Sequence, residues 1–205
     1  MNADRPLSGP GGCTTGPSSP PAGHGTEPPS AWVARWSHLV PAGGTVLDVA
    51  CGLGRHSRWF SERNHPVSSV DRSSDAISFV AGMSSRMPIE AVLADIENGP
   101  WPFAGRSFDA VVVTNYLWRP LFPVIVQSVA PGGVLIYETF AAGNASVGKP
   151  SRPDYLLQPG ELLTACAGLR VVAYEDGFLD HPPRFVQRIA GLRPNPALPL
   201  HRTPL

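Results

Sequence analysis

The stretch VLDVACGLGRH, Val46 to His56, decides how this chain is read. An apolar run carrying one acid, Asp48, breaks after Ala50 into two glycines, Gly52 and Gly54, that flank a single residue. A strand that runs into a glycine-rich turn brings backbone close to a ligand. An acid just ahead of the turn makes it a poor seat for phosphate and a good one for a cation.

Outward from this stretch, strands alternate with helical segments. TVLDVA (45–50) reads as the first strand and GRHSRWFSERN (54–64) as the helix after the turn. PVSSVD (66–71) and SSDAISFVAGM (73–83) repeat the step, and IEAVLAD (89–95) is a third strand. FDAVVVTN (108–115) is a fourth, with a helix expected across PLFPVIVQSVA (120–130), and APGGVLIYET (130–139) reads as a turn and a fifth strand. After a helix at PGELLTACAG (159–168), LRVVAYEDGFL and PRFVQRIAGLR form a hairpin around Asp180–Pro183. Unbroken Val/Ile/Leu runs suit strands covered on both faces. The expected class is α/β: a doubly wound, mostly parallel Rossmann-like sheet of about seven strands with a C-terminal antiparallel hairpin, three layers αβα.

At 205 residues the chain has room for one well-buried domain. Residues 1–30 are rich in Pro, Gly, Ser and Thr and read as a disordered tail, 31–192 as the domain, and 193–205 as a short Pro-rich tail. Lys plus Arg equals Asp plus Glu at 16 each, with no basic run, so nucleic acid is not the expected partner. No apolar run approaches the ~20 residues of a membrane span, and no secretory signal is visible. Cys13, Cys51 and Cys166 are far apart and in no metal-ligand spacing, so neither disulfides nor metal are expected. The expected location is cytoplasmic; the oligomeric state is open.

In such sheets ligands sit beyond the carboxyl ends of the strands. Asp48, Asp71, Asp95, Asn115 and Glu138 close successive strands and are expected around one crevice. A dinucleotide would want G-x-G-x-x-G, but the third position here is Ser57. Asp71, 23 positions after Asp48, closes the second strand, where an acid can accept both hydroxyls of a ribose. A ribose, a positive group and no phosphate at the glycines describe S-adenosylmethionine.

The blocks VLDVACGLGRHSRWF, VSSVDRS, VLADIE and FDAVVVTNYL with VAPGGVLIYETF resemble the successive motifs of class I S-adenosylmethionine-dependent methyltransferases, over about Trp32 to Ile189. TNYLWRPLF and YETFAAGN are similar to a bacterial subgroup related to the tellurite-resistance methyltransferases. The resemblance implies that Asp48, Ala50, Gly52 and Gly54 surround the methionine moiety, with Arg55 and His56 near its carboxylate. It implies Asp71 on the ribose, Arg72 beside the adenine, and Asp95 on its amino group with Ala94 and Ile96 supplying backbone. Asn115 and Tyr116 would lie near the sulfonium. Trp32 and Arg35 either close over the cofactor or are a packed aromatic and a surface cation.

Methyl transfer needs alignment and exclusion of water, and a base only if the nucleophile arrives protonated. Tyr116, Glu138 and His181 are the candidates to meet the acceptor, Glu138 either as a base or as the partner of an arginine. Arg119 and Arg152 are candidate anchors for an anionic acceptor. TNYLW after the fourth strand departs from the N-P-P-Y sequence of many amino-group methyltransferases, which favours a small-molecule acceptor: thiol, oxyanion, hydroxyl or carboxylate. The alternatives are an NAD(P)-dependent oxidoreductase, opposed by Asp48 and Ser57, and a non-catalytic S-adenosylmethionine sensor.

Overall fold

The computed structural model describes residues 27–84 and 88–197. Helix α1 (Ala31–Trp36) precedes strand β1 (Val46–Val49), then α2 (Arg55–Ser61), β2 (Val67–Asp71), α3 (Ser74–Ser84) and β3 (Ile89–Leu93). Next come β4 (Phe108–Thr114), α4 (Phe122–Gln127), β5 (Val129–Phe140), α5 (Glu161–Ala165), β6 (Arg170–Asp180) and β7 (Pro183–Leu192). The strands form one sheet in the order β3-β2-β1-β4-β5-β7-β6. β1 to β5 are parallel, and β7 lies antiparallel between β5 and β6. The doubly wound sheet with a terminal hairpin is therefore the fold observed.

Successive strand residues point to opposite faces, and both faces are covered. Leu47, Val49, Val111 and Val113 pack with Ile125 of α4 and Leu162 of α5. On the other face Val46, Ala110 and Val112 pack with Trp32 and Trp36 of α1, Phe60 of α2 and Val80 of α3. Each such side chain contributes about 1.5–3 kcal/mol when fully buried, which is why these runs carry so few polar residues. Strand order reverses between β1 and β4, so the segments leaving their carboxyl ends run to opposite sides and open a crevice.

Three local expectations change. The helix expected over 120–130 shrinks to six residues, because Pro120 and Pro123 fit only first-turn positions and Val129 already pairs with Phe108. The turn expected at 130–133 is a register break inside β5. There a Cβ on Gly133 would lie 2.9 Å from the carbonyl oxygens of Phe108 and Asp109. Third, β3 and β4 stop at Leu93 and Thr114, so Asp95 and Asn115 sit just past the ladders. The expected tails lie outside the described residues except for 27–30 and 193–197.

Candidate functional site

Two non-glycine residues that end strands, Ala50 after β1 and Asn115 after β4, sit in the left-handed region at φ 52° and 54°. Each costs on the order of 1 kcal/mol or more of backbone strain, and both face the crevice at the switch point. A cavity of about 250 Å³ opens there, lined by Ala50, Asp71, Arg72, Asp95, Ile96, Glu97, Asn115 and Tyr116.

The glycine turn is held from both sides by acids. The N–H of Gly52 donates to Asp71 Oδ2 at 2.9 Å, and the other Asp71 oxygen accepts from the Ser73 amide at 2.9 Å. Asp48 is 2 % exposed, and its Oδ2 accepts from the backbone N–H of Ser57 at 2.9 Å and from the Ser57 hydroxyl at 2.6 Å. The Ser69 hydroxyl extends the chain by donating to Ser57. Gly54 begins α2 with no side chain to cap it, so a strand carboxylate supplies the cap from below. The positive end of α2 is thereby taken by a fixed anion, which leaves no seat for a phosphate.

Burial pushes Asp48 up to about 6, against the hydrogen bonds from Ser57 and the charge of Arg55. The folded protein therefore holds this proton more tightly than the unfolded chain does. Its charge destabilises the fold above pH of about 6, by on the order of 2–3 kcal/mol, and costs nothing below the ordinary 3.8. Asp48→Asn should melt higher than the parent protein at pH 7, the gap closing as pH falls from about 6 to 3.8. Thermal melts in matched buffers decide this; a gap independent of pH would assign it to packing rather than charge.

Asp95 lines the cavity, but its carboxylate accepts from the amides of Glu97 and Asn98 and from Asn98 Nδ2. These bonds, that of the Asn98 side chain first, lower its pKa. The Tyr116 hydroxyl is buried with no hydrogen-bond partner among the described residues; burial, and next the charge of Glu97, raises its pKa. Glu97, paired with Arg72 at 4.0 Å, escaped the sequence reading. Its signal was the second acid of the LADIE block, two residues past Asp95.

Several candidates lie elsewhere. Trp32 is 1 % exposed, donates its indole N–H to the Ile189 carbonyl and packs edge-on against Trp36. It is a core residue, and Arg35 is a surface cation paired with Glu175 at 3.5 Å. Neither closes over the crevice. Gly54 does not present open backbone: a Cβ there would meet Val80 Cγ2 at 2.7 Å and Met83 Cε at 3.0 Å. Arg55 pairs with Glu27 at 3.7 Å, and the Ala94 amide donates to the Asp71 carbonyl.

His56 and Glu138 belong to a buried network below the crevice. The Ser30 amide donates to His56 Nε2 at 3.1 Å, and Thr114 Oγ1 lies 3.4 Å from Nδ1. Nε2 accepts, so the proton sits on Nδ1. Burial, and then Arg55, lowers this histidine to about 3, so the ring is neutral. The Ser30 hydroxyl donates to Glu138 Oε1 at 3.1 Å, and Arg184 and Arg188 reach the same carboxylate at 3.3 Å each. Three donors leave Glu138 poorly placed to take a proton; of its two readings the arginine partner is the one observed. Ser30 also caps α1 through the amides of Trp32 and Val33. Ser30→Ala should cost about 1–3 kcal/mol of stability, a cap plus a bond to a buried carboxylate. A denaturation midpoint unchanged from the parent would show that water replaces both.

The proposed substrate arginines are also engaged. Arg119 gives Nε and one Nη to Glu161 and two further N–H donors to the carbonyls of Asp154 and Leu156, clamping the 153–161 segment. Arg152 is exposed, pairs with Asp154 at 2.8 Å and lies over the Tyr155 ring. His181 is exposed in the hairpin turn.

Comparison with known proteins places this fold. Residues 46–133 match the family model of the methyltransferase domain. YqeM of Bacillus subtilis (strain 168) is 29% identical over 125 residues, 56% of this chain and 50% of that protein. The malonyl-[acyl-carrier protein] O-methyltransferase of Serratia marcescens is 28% identical over 142 residues, 62% of this chain and 54% of that one. The chain thus spans about half the length of the curated relatives it matches. Its fold is similar to TehB from Haemophilus influenzae, with TM-score 0.65 at 18% identity over 79% of this chain and 61% of that one. A SAM-dependent methyltransferase from Mesorhizobium loti gives TM-score 0.63 at 18% identity over 80% of this chain and 99% of that one. Among the described residues, no helix is long and apolar enough to cross a membrane.

Proposed function

We propose that this chain, which carries a methyltransferase domain in the class I S-adenosylmethionine-dependent fold, binds S-adenosylmethionine at the switch point and methylates a small-molecule acceptor. One observation carries the reading. The start of α2 is capped by the Asp48 carboxylate, while Asp71 lines the cavity one strand away. That pair suits a ligand with a cationic end and a ribose, and excludes a pyrophosphate from the turn. The raised pKa of Asp48 adds that a cation beside it would be favourable.

In this reading Asp48, Ala50 and Gly52 flank the amino-acid end, and Asp71 receives the ribose hydroxyls. Arg72, Asp95 and Ile96 flank the adenine. Asn115 and Tyr116 border the transferred group, which arrives on a sulfonium that is already a good leaving group. The chain's remaining task is to align the acceptor in line and keep water out.

Calorimetric titration with S-adenosylmethionine, S-adenosylhomocysteine, NAD and NADP tests the cofactor assignment. Binding of the first two alone is expected; binding of a dinucleotide instead would overturn it. A panel of small thiols, oxyanions and carboxylic acids, read by S-adenosylhomocysteine release, tests turnover. Tight binding with release from none of them would favour a sensor.

A further inference from the structure

We infer that the acceptor is an organic carboxylate and that Arg184 of β7 binds it; this rests on the methyltransferase reading above. In the β5–β7 register Glu138 faces Arg188 and Phe140 faces Val186, so Arg184 lies past the carboxyl end of β5. That is the side on which the crevice opens. The link to the crevice is short, since the Asn115 amide donates to the Glu138 carbonyl and Arg184 holds the Glu138 carboxylate.

Arg184 has donors to spare. Its side chain is 19% exposed and its pairing is one contact to Glu138 at 3.3 Å. Its Nε is buried with no partner among the described residues. Arg188, by contrast, is matched by Glu175 through Nε and a terminal nitrogen. Arg35 reaches Glu175 as well, so three guanidinium groups share two carboxylates and the cluster keeps one excess positive charge. There is also room. Gly177, opposite Val186 on β6, lies on the same face as Arg184, and a Cβ there would meet nothing within 4 Å. A partly exposed, under-coordinated guanidinium beside open space suits a planar carboxylate.

The state of three neighbouring groups, Glu138, His56 and Tyr116, points the same way. Glu138 already accepts from three groups, both nitrogens of neutral His56 are engaged, and the raised Tyr116 phenol stays protonated. A carboxylate needs none of these groups as a base, because it arrives already ionised. When a carboxylate oxygen attacks, an O–CH3 bond forms as the CH3–S bond breaks. The anion becomes a neutral ester, the sulfonium a neutral thioether, and no proton moves.

The test is binding of acetate, malonate, benzoate and phenylacetate, with acetamide, malonamide, benzamide and phenylacetamide as neutral counterparts. Calorimetry is run on the full chain, both free and loaded with S-adenosylhomocysteine. At least one carboxylate should bind, its matched amide at least about tenfold more weakly. Arg184→Met should weaken the carboxylate by about tenfold or more, with S-adenosylhomocysteine affinity and fold retained. Arg184→Lys keeps a charge against Glu138 and should fall between; it carries the comparison if the Met variant does not fold. In turnover, the product should be a base-labile methyl ester. Equal binding of acid and amide, wild-type binding by both variants, or no binding by any probe would overturn the inference. Failure to bind S-adenosylhomocysteine would instead sink the methyltransferase reading, while carboxylate binding is still scored on the free protein.

Discussion

Gly54→Val should cost the domain about 2–5 kcal/mol, a large share of the roughly 5–15 kcal/mol that holds a typical domain folded. Two effects add. The residue sits at φ +73°, and its Cβ would lie 2.7 Å from Val80 Cγ2 and 3.0 Å from Met83 Cε. A β-branched residue in the left-handed region costs on the order of 1–2 kcal/mol, and overpacking against α3 about 1–3 more. From sequence, Gly54 was expected beside the methionine moiety; in the structure its Cβ position points at Val80 and Met83 of α3. Gly52→Ala is the control. At φ +53° with nothing within 4 Å of its Cβ, it carries the backbone strain alone. Denaturant unfolding of both should place Gly54→Val well below Gly52→Ala. Equal midpoints would mean that α3 yields without cost.

Asp71→Ala should weaken S-adenosylmethionine and S-adenosylhomocysteine alike by roughly thirty- to several-hundred-fold, about 2–4 kcal/mol. The carboxylate lines the cavity and, without ligand, already holds the Gly52 and Ser73 amides at 2.9 Å each. Its removal loses the proposed ribose acceptor and also frees the turn that shapes the amino-acid end. For the same reason the folded protein should lose about 1–2 kcal/mol, more than a merely exposed acid would. Calorimetry on both ligands, with a melting curve on the apo protein, separates the two effects. Lower stability with unchanged affinity would leave Asp71 as a brace of the turn and take it out of the ligand site.

Much of this was legible along the chain because its causes are local. Residues such as Val111 and Val113 face one covered side and Ala110 and Val112 the other, so β4 had to be an unbroken apolar run. The glycines mark the turn, and an acid one strand on marks the side proposed for the ribose. Corrections fall where the same letter serves two ends. Asp48 reads only as an acid at a strand end, and the fold adds that its carboxylate also caps α2. Arg119 reads as a free cation until Glu161, 42 positions later, takes two of its nitrogens.

The sequence by itself determined the α/β class, the strand–turn–helix at Val46–His56 and the acid that ends β2, because periodicity and turn chemistry act within a few residues. Only the tertiary structure decided which polar groups remain available. Ser30 meets Glu138 across 108 positions, and Glu138 meets Arg184 and Arg188 because β7 enters between β5 and β6 in one register. Sliding β7 by one residue would turn both arginines to the opposite face with no change in local pattern. Whether a guanidinium is used up or open to a ligand is thus settled by strand pairing, which no short stretch of this chain encodes.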